Sequence, residues 1–226
     1  MTLEVFPNLE QGSDEWLAAR CGLLTASVIG KLITPSLKVA DNETSRGLIE
    51  TLVAERITGH IDPIYPNDDM QRGTLDEPYA RDLYREQYRP VTEIGFAVRT
   101  INGHRLGASP DGLVGDFGGL EIKSRSPKLQ LKTILSREIP AANLAQIHAC
   151  MLVFDRGWCD YCSYAGGWPL QVIHVTRDPQ WDAVIIDALN AFEDDAKTLI
   201  SVYQRATAGS PVAPLIDHYA EIELKL

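Results

Sequence analysis

Apolar positions along the chain follow two rhythms, one near 3.6 residues and one of two. The helical rhythm first appears in Gln11 to Arg20, where Ser13 or Asp14 can cap and Asp14 and Glu15 suit the positive end of the helix dipole. A second helix is predicted from Ala26-Ser27 to just before Pro35. From Thr44 to Thr58 the residues Leu48, Ile49, Leu52, Val53 and Ile57 share one face, and Gly59 is the stop signal. A loop rich in Pro, Asn and Asp covers Ile61 to Asp69. Helical spacing resumes from Arg72 to Tyr88 through Leu75, Tyr79, Leu83 and Tyr84; Pro78 requires this helix either to begin near Glu77 or to kink.

Strands are predicted at Val91 to Arg99, Arg105 to Ser109 and Gly119 to Arg125, with Asn102-Gly103 as a hairpin turn. Ile139 to Phe154 is a mostly apolar helix. It precedes strands at Trp158 to Tyr164 and Leu170 to Thr176, joined through Gly166-Gly167. Asp178-Pro179 opens a long helix to about Ala206, with Trp181, Val184, Ile185, Ala188 and Phe192 inward. The expected fold is α/β, a single domain with a central mixed sheet flanked by helices, its core spanning about 11–207 and an arm 208–226.

Composition narrows this little: 226 residues, 45% hydrophobic, is an ordinary globular chain. The charge is more informative. With 21 Lys+Arg against 31 Asp+Glu the net charge is −10, which excludes a protein that coats nucleic acid through bulk charge. It leaves room for an enzyme with a local basic groove and an acidic metal site. No apolar run reaches a membrane-spanning length, the N-terminus lacks a signal-peptide pattern, and four irregularly spaced cysteines do not form a disulfide framework. The expected location is the cytoplasm.

The candidate chemistry lies in Gly107-Ala-Ser-Pro-Asp111-Gly and Glu121-Ile-Lys123. Period-two alternation puts Glu121 and Lys123 on one face of a strand, and a hairpin brings Asp111 alongside. Hard cations such as Mg²⁺ favour a few oxygen ligands. Asp111, Glu121 and the Ile122 backbone carbonyl supply them, while Lys123 can orient a water and balance developing charge. An ordinary cross-strand ion pair on a solvated face is the plainer reading of the same residues.

These residues resemble the PD-(D/E)xK nuclease core and, more narrowly, the phage lambda exonuclease and YqaJ-type viral recombinase family. The resemblance runs from Gln11 to Thr176 through Asp14-Glu-Trp16, Arg20-x-Gly22, Thr25-Ala-Ser27, Arg72-Gly73, Glu77-Pro78, Ser109-Pro-Asp111-Gly, Glu121-Ile-Lys123 and Ala145-Gln146. It implies a restriction-endonuclease-like core with Asp111, Glu121, the Ile122 carbonyl and Glu77 at a Mg²⁺ site (Mn²⁺ substituting) and Lys123 as catalytic lysine. It further implies Arg20, Ser27, Ser109 and Gln146 as a 5′-phosphate cradle and Met70 as a strand wedge. The implied activity is 5′→3′ digestion of double-stranded DNA from 5′-phosphorylated ends, leaving 3′ tails for recombination. The implied assembly is a homotrimeric ring, with a single-strand annealing protein as partner and phage or prophage origin in a bacterial cell. A ring with a basic channel would reconcile an acidic protein with DNA.

Some relatives of this core hold an iron–sulfur cluster through one early and three late cysteines. Here Cys159 and Cys162 are three apart in one predicted strand and point to opposite faces, and Cys150 lies on the inward helix, so no cluster is expected. His148 and His174 read as core or edge histidines. Two rivals stand beside the leading reading: another nuclease of this core, single-strand-specific or cluster-containing, and a non-catalytic module that binds DNA ends.

Overall fold

The computed structural model describes residues 2–62 and 67–215. The mixed sheet is realised as two ladders. The first is antiparallel in the order β1–β2–β3, comprising β1 (Thr2–Phe6), β2 (Phe96–Ile101) and β3 (His104–Ala108). The second has the order β4–β5–β6–β7, comprising β4 (Gly112–Val114), β5 (Gly118–Ser124), β6 (Trp158–Tyr164) and β7 (Gln171–Thr176). Among the described strands only β5 and β6 pair in parallel. A single bridge, Thr92↔Leu113, ties the segment before β2 to β4.

Six α-helices surround the ladders among the described residues: α1 (Asp14–Arg20), α2 (Glu43–Thr58), α3 (Asp68–Gln87), α4 (Pro127–Ser136), α5 (Ala141–Phe154) and α6 (Pro179–Ala206). Ser13, not Asp14, caps α1 by accepting from the Trp16 N–H at 3.2 Å. Asn42 and Ser45 form a reciprocal capping box on α2, and Gly59 ends that helix at φ +67°.

Several predicted elements shift. The helix expected from Ala26 to Pro35 is only a 3-10 turn, Ile29–Leu32. The backbone before it is already committed: the Ala26 N–H donates to Gly107 O at 2.8 Å and the Gly107 N–H to Leu24 O at 3.0 Å. α3 begins earlier than expected, capped by Asn67, and runs through Pro78. Its later half is held by Ala80 and Tyr84, both fully buried against Leu120, Ile122 and Cys162. β1, β4 and α4 were not anticipated. The strand expected from Val91 begins only at Phe96.

The faces of the second ladder decide the site's geometry. Leu120 and Ile122 of β5 face α3, whereas Cys159 and Tyr161 of β6 face α5 through Ile147 and Met151. Cys162 packs with the α3 side, so Cys159 and Cys162 occupy opposite faces of β6. His148 is buried and stacked on Trp181 at 5.0 Å. His174, on the end strand β7, is largely exposed; its ring lies 5.2 Å from that of Trp158 and its Nδ1 2.7 Å from Asp160 Oδ1.

Candidate active site

β4 is only three residues long and pairs with Gly118, Gly119 and Leu120. Among the described residues, the edge of β5 facing away from β6 has no strand partner beyond Leu120. Asp111 stands at that edge, and its Oδ2 accepts the Ile122 N–H at 2.6 Å. In an extended strand the N–H and C=O of one residue point to the same side, so the Ile122 carbonyl opens beside Asp111.

Glu121 and Lys123 project together from the other face. Glu121 is 1% exposed, and the Lys123 Nζ stands 2.5 Å from its Oε1. Yet neither Glu121 oxygen receives a hydrogen bond of ordinary geometry. A buried carboxylate without directed donors is costly unless a cation completes it. With Asp111 and the Ile122 carbonyl, the donor set is all oxygen and fits a hard divalent ion.

The electrostatics agree. Burial pushes the Glu121 carboxyl up to about 7, opposed by Lys123. Burial also raises Asp111, against Lys123 and the Ile122 N–H. Burial disfavours the Lys123 ammonium, but Glu121 and Asp111 outweigh this and hold it above the ordinary lysine range. The two carboxylates thus favour the charged ammonium of Lys123 over the free amine.

Glu77 approaches from α3. Burial, then the charge of Asp111, pushes its carboxyl up to about 7. Its Oε1 is engaged by Arg81, one turn along α3. Among the described residues no group of three or more His, Cys, Asp or Glu side chains is gathered as a metal site, and Glu77 lines the same cavity as Asp111 and Lys123. Arg81, unanticipated from sequence, is 8% exposed and acts as a clamp. It donates to the Asp111 carbonyl at 2.8 Å and to Glu93 at 2.7 Å besides pairing with Glu77. Its Glu-x-x-x-Arg spacing is the one signal that could have revealed it.

A cavity of about 580 Å³ joins this centre to the other residues singled out from sequence. Arg20, Ser27, Ser109, Gln146, Met70, Glu77, Asp111, Ile122 and Lys123 all line it, with Glu121 buried behind. Arg20 lies over the Trp16 ring at 4.1 Å, and its Nη2 donates to Thr25 Oγ1 and Ser27 Oγ, each at 3.3 Å. The Trp16 Nε1–H donates to Ser109 Oγ at 3.3 Å. Trp16 and Thr25 thus fix Arg20 and Ser109 in place, a role not assigned to them from sequence. α2 fixes the chain just after Arg20: Glu55 accepts the Gly22 N–H at 2.7 Å, and Arg56 donates to Gly22 O at 2.7 Å while pairing with Glu193 of α6. Exposed Met70 lies in the first turn of α3 at the cavity mouth.

The fold and site define a nuclease of the restriction-endonuclease-like, PD-(D/E)xK class. An alkaline exonuclease from Laribacter hongkongensis is 32% identical, with a TM-score of 0.77, covering 87% of this chain and 98% of that one. A structure of that exonuclease in complex with dAMP matches at 33% identity and TM-score 0.76, with the same coverage. A phage-related exonuclease from Haemophilus somnus 129PT, 14% identical at TM-score 0.57 over 80% of this chain and 96% of that one, shares the fold. No curated protein matches the chain. Residues 15–157 match the model of the YqaJ-like viral recombinase domain, and the chain belongs to that family.

Proposed function

We propose that the chain is a metal-dependent 5′→3′ exonuclease on double-stranded DNA, releasing 5′-mononucleotides and leaving 3′ tails for single-strand annealing. One observation carries the reading: Arg20, Ser27, Ser109 and Gln146 line the same cavity as Asp111, Ile122 and Lys123. A shared cavity of this lining suits a terminal phosphate held close to the phosphodiester that is cut. The dAMP complex of the Laribacter exonuclease supports a nucleoside monophosphate as product.

Asp111, Glu121, the Ile122 carbonyl and Glu77 would hold Mg²⁺, or Mn²⁺ in its place. The ion, when bound, supplies Lewis-acid stabilisation of charge on the phosphate oxygens. The protein's own groups do the rest. Lys123 orients the attacking water and offsets negative charge as it grows. The Arg20 guanidinium and the two hydroxyls hold the terminal phosphate and fix register. Arg81 keeps Asp111 and Glu77 in place.

The same reading makes the protein a homotrimeric ring around the duplex, working with a single-strand annealing protein in a bacterial cytoplasm. Four free cysteines among the described residues suit that reducing compartment, and no described helix is long and apolar enough to cross a membrane. The deciding experiment is digestion of linear duplex bearing 5′-phosphate, with Mg²⁺ and with chelator. Magnesium-dependent release of mononucleotides from the 5′ strand is expected. Release from the 3′ end, or cleavage confined to single strands, would sink the reading; binding of ends without loss of DNA would leave only a binding module.

A further inference from the structure

α4 is built inside out. Its only buried side chains are polar, Gln130 and Thr133. Gln130 pins the helix to the β6–β7 hairpin by donating to Ser163 O at 3.1 Å and Pro169 O at 3.0 Å, and it accepts the Ser163 hydroxyl at 2.6 Å. Its leucines face outward instead: Leu129, Leu131 and Leu135 are 47%, 44% and 74% exposed. Leu131 and Leu135 are four apart and form one stripe, and Lys128 and Lys132 form a second beside it. α4 contains no acidic residue. An apolar stripe next to a basic one, on a helix whose anchors are polar, is the pattern of an interaction surface.

The chain carries a segment of matching chemistry. Residues 216–226, outside the described residues, contain Asp217, Glu221 and Glu223 against Lys225, interleaved with Ile222, Leu224 and Leu226. The helix that leads to this segment overhangs its own core. The last apolar residue of α6 packed on the core is Ile200, six positions before the helix ends at Ala206, an overhang of about 9 Å. Val202 and Tyr203 are exposed on that overhang, and Leu199 is exposed just before it. α6 packs on α2, α5 and β3, whereas α4 packs on β6.

We propose that residues 216–226 of one copy dock on the Leu131–Leu135 and Lys128–Lys132 stripes of α4 in the next copy. Such a contact joins two different surfaces and is head-to-tail, the kind that closes a ring when its rotation closes. It deepens the proposed function, resting on that reading's homotrimer, and supplies its contact.

The test uses the full chain with a photo-crosslinking amino acid replacing Leu135, mixed with ¹⁵N-labelled protein carrying Leu135. Crosslinks from position 135 to heavy 216–226 peptides are the expected result. Crosslinks only within one copy, to another segment, or none at all would overturn the proposal. A sedimentation series adds a second reading. Lys128→Glu with Lys132→Glu should weaken self-association about tenfold, and adding Glu221→Lys with Glu223→Lys should recover most of it. Association indifferent to these changes would also overturn the proposal. Neither result bears on the digestion of phosphorylated duplex, so failure here and failure of the exonuclease reading are separable.

Discussion

The buried, donor-poor carboxylate of Glu121 should leave a measurable mark on stability. Its folded carboxyl is raised from an ordinary 4.5 to about 7. Below pH 4.5 the group is protonated in both folded and unfolded chains and costs nothing. As pH rises toward 7 the unfolded chain releases its proton while the folded one retains it, so stability is progressively lost. A difference of that size corresponds to about 3 kcal/mol. In chelator, the wild-type protein should therefore unfold at clearly lower denaturant at pH 8 than at pH 5, with Glu77 adding to the same trend. Glu121→Gln keeps the shape and removes the titration. Its stability difference between the two pH values should shrink by about 2–3 kcal/mol. Divalent ions should stabilise the wild type most at pH 8, where the site is ionised, and should hardly stabilise Glu121→Gln. Urea unfolding at both pH values, with and without Mg²⁺, reads all of this. An unchanged pH difference in Glu121→Gln, together with an undiminished response to Mg²⁺, would refute the assignment of Glu121 as a buried ligand.

Three further outcomes follow from the same geometry. Lys123→Ala should abolish cleavage while preserving binding to duplex ends by fluorescence anisotropy; normal turnover would remove the lysine from the reaction. Arg20→Ala should cut the rate advantage of 5′-phosphate over 5′-hydroxyl ends by about tenfold or more, since a charge-assisted fork is lost; an equal fall on both ends would contradict the cradle. Glu193→Ala leaves the half-buried Arg56 without its carboxylate and should cost about 3 kcal/mol, or roughly 6–12 °C in melting temperature, without altering the preference for phosphorylated ends. Calorimetry and the end-preference assay together check it.

The site was more legible than the frame around it. Asp111, Glu121 and Lys123 could be placed from alternation and a hairpin, because side-chain direction in a strand follows from counting. Arg20, Ser27, Ser109 and Gln146 could be grouped only through family resemblance, because they come from four separate segments that tertiary packing brings together. Arg81 escaped because an Arg four residues after a Glu on a helix normally marks a solvated pair; only burial reveals the clamp. The false helix after Ala26 has a similar cause. Its spacing was helical, but hydrogen bonds to Gly107 claimed the backbone first, a competition that local sequence does not record. β1 was missed because Thr2 to Phe6 alternates too briefly to stand out, and it becomes a strand only because β2 offers an edge.

The early end of β4 makes the reactive centre a seam left deliberately unzipped. Continuing the register of Gly112↔Leu120 would set Pro110 opposite Ile122. Proline has no N–H to give, so the Ile122 carbonyl finds no partner there, and the Asp111 side chain has taken the neighbouring donor. Were an ordinary residue to stand at 110, two more rungs could close, and the oxygen proposed to face the cation would be spent on holding the sheet together. In this protein, catalysis begins where hydrogen bonding between strands is made to stop.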